Sequence, residues 1–441
     1  MKNKTLLFLL VLLHALMLIY AYCSGTVYMK DSAEYLNQAF NLKHYASWYC
    51  GNFSNPVQPE LYSMRPPLYG FLLMMLHFIS ENVILISLVQ SLLSIFNLYI
   101  ALRLVDKFAP SSFKIFFVLS TLLFFPSQLI YSEMIMSEML LQFFVMCCVY
   151  FLILYMEKKS IVHLLIFQVA VSCTLLTKPV FIAFPVFIII LFSILPSLKS
   201  FRGKALYSCS IPVLVILLIS FNNYRHTGYF EYSSIARKLS VNYHAFYSVS
   251  YDEGNASALL QIDSVQQDAS IQTSYSEKAE VLQSGAGRLI GQHLDSYIFL
   301  TVKGILLFFI DHSRYDLETF SGKKISEENG FMEYYKKSGW SGIVDYINQL
   351  NFFYVLYLFV SMLFNAMLLF GLMRFSLLHQ QPLFLRLLLT GTILYLAIIT
   401  GMTGTTRFRL PVFPLLLAAN LIALKYYSFP FIKKRTAEVC E

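Results

Sequence analysis

The chain has 441 residues, 57% of them hydrophobic and only 13% charged, a composition that excludes a water-soluble globular protein of this size. Its formal charge of +8 needs no nucleic-acid partner, because the basic residues gather in short loops between apolar runs. The expectation is an all-α polytopic membrane protein embedded in a lipid bilayer.

The first run, TLLFLLVLLHALMLIYAYC, lacks a small-x-small cleavage site and reads as a retained first span. Further apolar runs lie near 82–102, 113–129, 134–156, 161–177, 179–195, 206–221, 351–373, 384–402 and 408–427. Two shorter ones, 67–80 and 296–311, can lie along the surface, so the bundle is expected to hold ten to twelve spans. With ten, both termini share a side, and Lys2, Lys4, Arg103, Lys107, Lys114, Lys158, Lys159, Lys199, Arg202, Lys204, Arg374, Arg386 and the tail KKRTAEVCE fall on it. That density predicts a cytoplasmic face, in a bacterial inner membrane.

The opposite side then carries the long segments, a loop at 25–81 and a region at 222–350 that is polar over 250–290, so function is expected to face outward. This divides the chain into an N-terminal membrane module (1–221), an extracytoplasmic region (222–350) and C-terminal membrane helices with a cytoplasmic tail (351–441). Seven cysteines show no C-x-x-C spacing, and Cys23 with Cys50 is the pair that an oxidising compartment could join. No cluster of metal ligands is visible, and neither metal nor cofactor is expected.

Just after the first run, MKDSAEYLNQAF places Asp31 and Glu34 at capping-box spacing, with Tyr35 alongside. Asp31 reads either as a helix cap or as a carboxylate facing a substrate, and its two oxygens permit both. SMRPPLYGFLLMML sets Arg65 ahead of a Pro-initiated apolar helix, as an interfacial anchor or an anion ligand. IYSEMIMSEM offers Glu133, which reads as solvated, and Glu138, which begins an apolar helix where an unpaired carboxylate is costly. LLTKPVF holds Lys178 between two apolar runs with almost no loop, either snorkelling or binding an anion. In GTTRFRLPVFP, alternation along an extended segment before Pro411 would aim Arg407 and Arg409 to one side, a fork suited to phosphate. The spans themselves are almost free of charge, with His14, His77 and His163 as polar packing residues, which disfavours an ion-coupled transporter.

The order of these motifs, from DSAEYLNQAFNL and RPPLYGFLLMML through LVQSLLSIFNLYIALRLVDKF, IYSEMIMSEMLLQFF, LLTKPVFIAFPVF and FNNYRHTGYFEYSS to RFRLPVFPLLL, resembles the GT-C glycosyltransferases of family 39. The likeness runs through most of the chain and is weakest at 245–350. It implies a GT-C bundle with extracytoplasmic juxtamembrane helices, a polyprenyl-phosphate sugar donor, and a protein, lipid or glycan acceptor outside the cytoplasm. It also implies roles for residues: Asp31 as catalytic base, Arg65 near the donor phosphate, and Glu133 or Glu138 at a Ser-Glu position. Arg407 and Arg409 match an R-x-R-x-P pattern, and Lys178 stands where relatives often have Arg. Glu34, Tyr35 and Tyr224 lie within the quoted motifs as neighbouring candidates. A polysaccharide polymerase or ligase acting on lipid pyrophosphates is the alternative, and it would not need Asp31.

Overall fold

The computed structural model describes residues 2–109, 114–194, 207, 209–322, 341 and 351–426. Lys199, Arg202, Lys204, the tail from residue 427 and most of 323–350 lie outside the described residues. Helices, with no strand among the described residues, account for the fold. Six are long and apolar enough to cross a membrane: Lys4–Ser24, Val83–Phe108, Glu138–Lys158, Phe352–Leu377, Leu383–Thr403 and Thr406–Lys425. Two bent pairs raise this to eight if each is one span, Lys114–Phe124 with Ser127–Glu133 (69°) and Tyr275–Gln292 with Leu294–Ile310 (92°). The chain is thus an integral membrane protein by the length and apolarity of its helices.

The remaining apolar runs form the shorter helices Pro67–His77, Ile161–Thr177 and Pro179–Ile194. Proline marks their boundaries: Pro67–His77 begins at Pro66–Pro67, Ile161–Thr177 stops where Lys178–Pro179 starts the next helix, and the first bent pair breaks at Pro126. Apolar side chains such as Phe8, Leu16 and Ile19 on the first helix stay exposed, as a lipid-facing surface requires. The last helix is instead enclosed, with residues Phe413–Ala423 all buried.

Within the mainly apolar packing between the helices lies a polar, uncharged cluster. Gln128 donates to Ser94 Oγ (2.8 Å) and exchanges amide hydrogen bonds with Gln142, while His14 Nε2 meets Ser94 Oγ at 2.9 Å. Asn97 adds a bond to Gln142 Oε1 (2.9 Å). Such bonds tie helices together where apolar burial alone gives little preference over lipid.

The ends of the bundle differ. At one end Lys107 pairs with Glu157, Lys114 with Asp106, and Gln381 donates to Phe108 O and Tyr426 Oη. Lys4 and Arg103 line one crevice there, so the described basic loop residues do gather at one end. The other end receives the C-terminus of the first helix and the helices Ser32–Tyr45 and Pro67–His77. It also carries an outer module, Phe246–Glu253, Asn255–Ser270 and Tyr275–Gln292, with a small core of its own around Val249, Ile262 and Leu289. Cys23 and Cys50, the pair that an oxidising compartment could have joined, are both free: Cys23 is exposed on the first helix while the buried Cys50 thiol donates to Leu61 O.

Candidate active site

Five segments converge at the end opposite the basic loops. Asp31 precedes α1 (Ser32–Tyr45), Arg65 precedes α2 (Pro67–His77), Glu138 opens α3 (Glu138–Lys158), Lys178 follows α4 (Ile161–Thr177), and Arg407 lies in the turn α5 (Thr406–Arg409). Their side chains form one continuous ion network. Arg407 Nη2 donates to Asp31 Oδ2 (2.6 Å) and its Nε to Glu138 Oε1 (2.6 Å), while Lys178 Nζ shares that same Glu138 oxygen (2.6 Å). Arg65 Nη2 stands 3.1 Å from Asp31 Oδ1, and its Nε donates to Glu34 Oε2 at 2.5 Å. Three carboxylates face three cations, so the network is neutral as a whole.

Asp31 does not cap its helix. Its backbone is already helical (φ −76°, ψ −17°) and its side chain makes no capping hydrogen bond. The capping-box expectation fails for a physical reason, since both partners have stronger claims elsewhere: each Asp31 oxygen meets a guanidinium and Glu34 is drawn to Arg65. Burial would raise the Asp31 pKa, but the fields of Arg407 and then Arg65, with the Arg407 hydrogen bond, outweigh it and hold the carboxyl well below the usual range.

The neighbours fix this geometry. Tyr35 is buried, with its ring under the Arg65 guanidinium (5.2 Å to the centroid), its hydroxyl 3.0 Å from Ser137 Oγ and its edge against Tyr69. Gln38, one turn beyond Glu34, donates to Arg65 O (2.9 Å) and Trp48 O (3.0 Å). It packs so closely on Gly70 that any side chain at 70 would collide with it. On the other side, Thr406 N donates to Asp311 Oδ2 (3.0 Å) and Thr406 Oγ1 to Asp316 Oδ2 (2.7 Å). Asp316 also accepts from Ser127 and Tyr131, and burial pushes its pKa up to about 6 against those bonds. Gly304 and Gly404 bring the two backbones here so near that a Cβ on either would strike backbone of the other segment.

Three expected members stand apart. Arg409 is fully buried, its guanidinium over the Phe125 ring (4.3 Å) and donating to the carbonyls of Phe309 and Asp311 (the latter at 3.1 Å). The expected fork with Arg407 does not form because 406–409 is a helical turn, and two positions in a helix point to nearly opposite sides. Glu133 is buried rather than solvated, accepting from Ser91 (2.6 Å) and Ser132 (2.9 Å). Of the two Ser-Glu pairs only Ser137–Glu138 enters the network. Tyr224 is exposed on the helix Ser210–Thr227 and is not part of the ion network. Gln38, Ser137, Asp311 and Asp316 were not among the candidates; only Gln38 left a trace in the sequence, on the same helical face as Glu34.

No group of three or more metal-ligating side chains occurs among the described residues. Arg65, Arg407 and Lys178 each carry more N–H donors than the network uses, so they are the groups that an anion reaching this end of the bundle would meet.

No family model matches the chain, and no curated protein matches it. Among solved structures it is similar to ArnT from Cupriavidus metallidurans bound to undecaprenyl phosphate, at 12% identity and a TM-score of 0.38 over 94% of this chain and 77% of that one. The same protein in its apo state gives 12% identity and a TM-score of 0.40 over 96% and 78%. Superpositions this loose establish no correspondence between individual residues.

Proposed function

We propose that the chain is a membrane glycosyltransferase of the GT-C kind that moves a sugar from a polyprenyl-phosphate donor to an acceptor hydroxyl outside the cytoplasm. The observation that carries this reading is Asp31, gripped by Arg65 and Arg407 from segments far apart in sequence. A structural ion pair needs one partner; a carboxylate held by two arginines, beside a lysine, is a site where an arriving phosphate can take over the cations. The end of the bundle opposite the basic loops is the outer face by the distribution of lysine and arginine, which is where a lipid phosphate and an external acceptor can meet.

In this mechanism the donor phosphate accepts hydrogen bonds from Arg407 and Arg65, with Lys178 adding charge. Asp31, relieved of its guanidiniums, regains basicity and turns to the acceptor. The acceptor oxygen attacks C1 of the sugar in line, its proton passes to Asp31, and the C1–O bond breaks with its electron pair leaving on the polyprenyl phosphate. The cations then stabilise charge that grows in the transition state, and the anomeric centre inverts. Glu138 keeps Lys178 and Arg407 together throughout.

The test is transfer of labelled sugar from a polyprenyl-phosphate donor by purified protein in vesicles. Wild type is expected to transfer, and Asp31→Asn to lose about 10²–10⁴-fold. Wild-type inactivity across hexosyl and pentosyl donors, or full activity of Asp31→Asn, would overturn the reading.

A further inference from the structure

Beside the ion network the outer module and the first loop enclose a cavity of about 400 Å³, within the range of small-ligand sites. One wall is Gln58–Met64, the segment that ends at Arg65, and the other comes from residues 234–282. The two walls are sewn together: Ser234 N donates to Ser63 O (3.2 Å), Ser234 Oγ to Glu60 O (2.8 Å), Ser233 Oγ to Met64 O (3.0 Å) and Ser63 Oγ to Glu231 Oε1 (2.8 Å). Within the second wall, Gly285 lets its helix lie close on Val265, where a side chain would collide.

The lining is unevenly satisfied. Arg237 is buried and committed, with Nη1 on Glu231 (2.6 Å) and Nη2 on Tyr275 Oη, which in turn donates to Glu231 (3.0 Å). Lys238 and Lys278 face the same cavity with no carboxylate in ion-pairing range among the described residues, and the Glu60 carboxylate has no partner there either. Leu61, Met64 and Leu282 supply an apolar patch. Two uncommitted ammonium groups, an open carboxylate, the amides of Asn242 and Gln266, which share one hydrogen bond (3.0 Å) and keep further N–H groups, and one apolar face match a polyol that carries negative charge.

We propose that this cavity holds the acceptor and that the acceptor is a saccharide bearing a carboxylate or phosphate group; this deepens the transferase reading and rests on it. The acid group sits against Lys238 and Lys278, ring hydroxyls meet Glu60 and the amides, and the C–H face lies on Leu61 and Met64. Because Met64 is the chain neighbour of Arg65, one consecutive Cα step of about 3.8 Å joins the acceptor wall to the donor-phosphate cluster.

Binding separates this proposal from the transferase reading. Full-length protein in nanodiscs is titrated with a soluble uronate-containing disaccharide, its neutral counterpart, a glycolipid with the same acidic headgroup and, separately, polyprenyl phosphate. The acidic disaccharide or the acidic glycolipid is expected to bind wild type, at least about tenfold tighter than the neutral sugar and than the Lys238→Glu/Lys278→Glu variant binds it. Which of the two binds tells whether the acceptor is a free glycan or a lipid-borne one. Polyprenyl phosphate affinity should be equal in wild type and variant, which also reports that the variant is folded. Equal binding of acidic and neutral sugars, no saccharide binding at all, or binding unchanged in the variant overturns the acceptor proposal while leaving the donor site standing. Failure of polyprenyl phosphate to bind wild type overturns the transferase reading itself.

Discussion

Arg407 and Arg409 sit two positions apart in one helical turn, yet they belong to two different regions of the molecule. Arg407 reaches the ion network, where it donates to two carboxylates, Asp31 and Glu138. Arg409 turns into the bundle, where it stacks on Phe125 and donates to two backbone carbonyls. The partners mark the difference in purpose. A carboxylate can be displaced by a phosphate that offers the same geometry and more charge, whereas a backbone carbonyl is a fixed part of the fold that has nowhere to go. In the proposed mechanism one arginine is exchangeable and the other permanent.

The contrast breaks most sharply in paired substitutions. Arg409→Ala leaves two buried carbonyls and the space beside Phe125 unfilled, and should cost about 3 kcal/mol or more of stability, read as earlier thermal unfolding in detergent. Arg407→Ala should lower the unfolding temperature less than Arg409→Ala, because Lys178 still faces Glu138 and Arg65 still faces Asp31, but should transfer sugar about 10²–10³-fold more slowly, because a group stabilising the leaving phosphate is gone. Equal unfolding shifts in the two variants would erase the distinction. Lys178→Ala removes a cation that shares Glu138 with Arg407, and is expected to weaken polyprenyl-phosphate binding by about tenfold, with Lys178→Arg restoring most of it; unchanged titrations of both would reduce Lys178 to an anchor.

The smallest effect concerns acid. The folded-state pKa of Asp31 lies below its ordinary value, so its stabilising contribution is complete above the usual carboxylate range and fades as pH falls through and below about 4. The stability gap between wild type and Asp31→Asn should therefore narrow from pH 6 to pH 3. A gap that stays constant or widens would show that the guanidiniums do not hold Asp31 in its charged form.

The apolar runs made the helical, membrane-embedded nature of the chain legible, because a bilayer demands length and apolarity that composition records directly. The gathering of basic loops at one end was legible for the same reason. Within the site, Asp31, Glu34, Arg65, Glu138, Lys178 and Arg407 could be picked out because charge is rare beside long apolar runs and each one asks for a partner. Which of them meet could not be read. Glu133 and Glu138 both follow a serine, and only the packing of the surrounding helices decides that Glu133 is satisfied by Ser91 while Glu138 faces Lys178. Arg409 misled because its direction depends on whether the turn before Pro411 is extended or helical, a tertiary matter set by Asp311 and Asp316 at Thr406. The same holds for Asp31: the D-S-A-E spacing suits a capping box, and two arginines from distant segments override it.

The central claim is that the donor phosphate and the Asp31 carboxylate compete for Arg65 and Arg407. Titration of polyprenyl phosphate into wild type and Asp31→Asn, alongside the transfer assay on the same preparations, tests it most directly. The expected result has opposite signs: Asp31→Asn binds polyprenyl phosphate more tightly, since its arginines are no longer neutralised, and transfers sugar far more slowly. Weaker binding of the phosphate together with lost transfer would contradict it, leaving Asp31 as a support for the site and not as the group that the donor sets free.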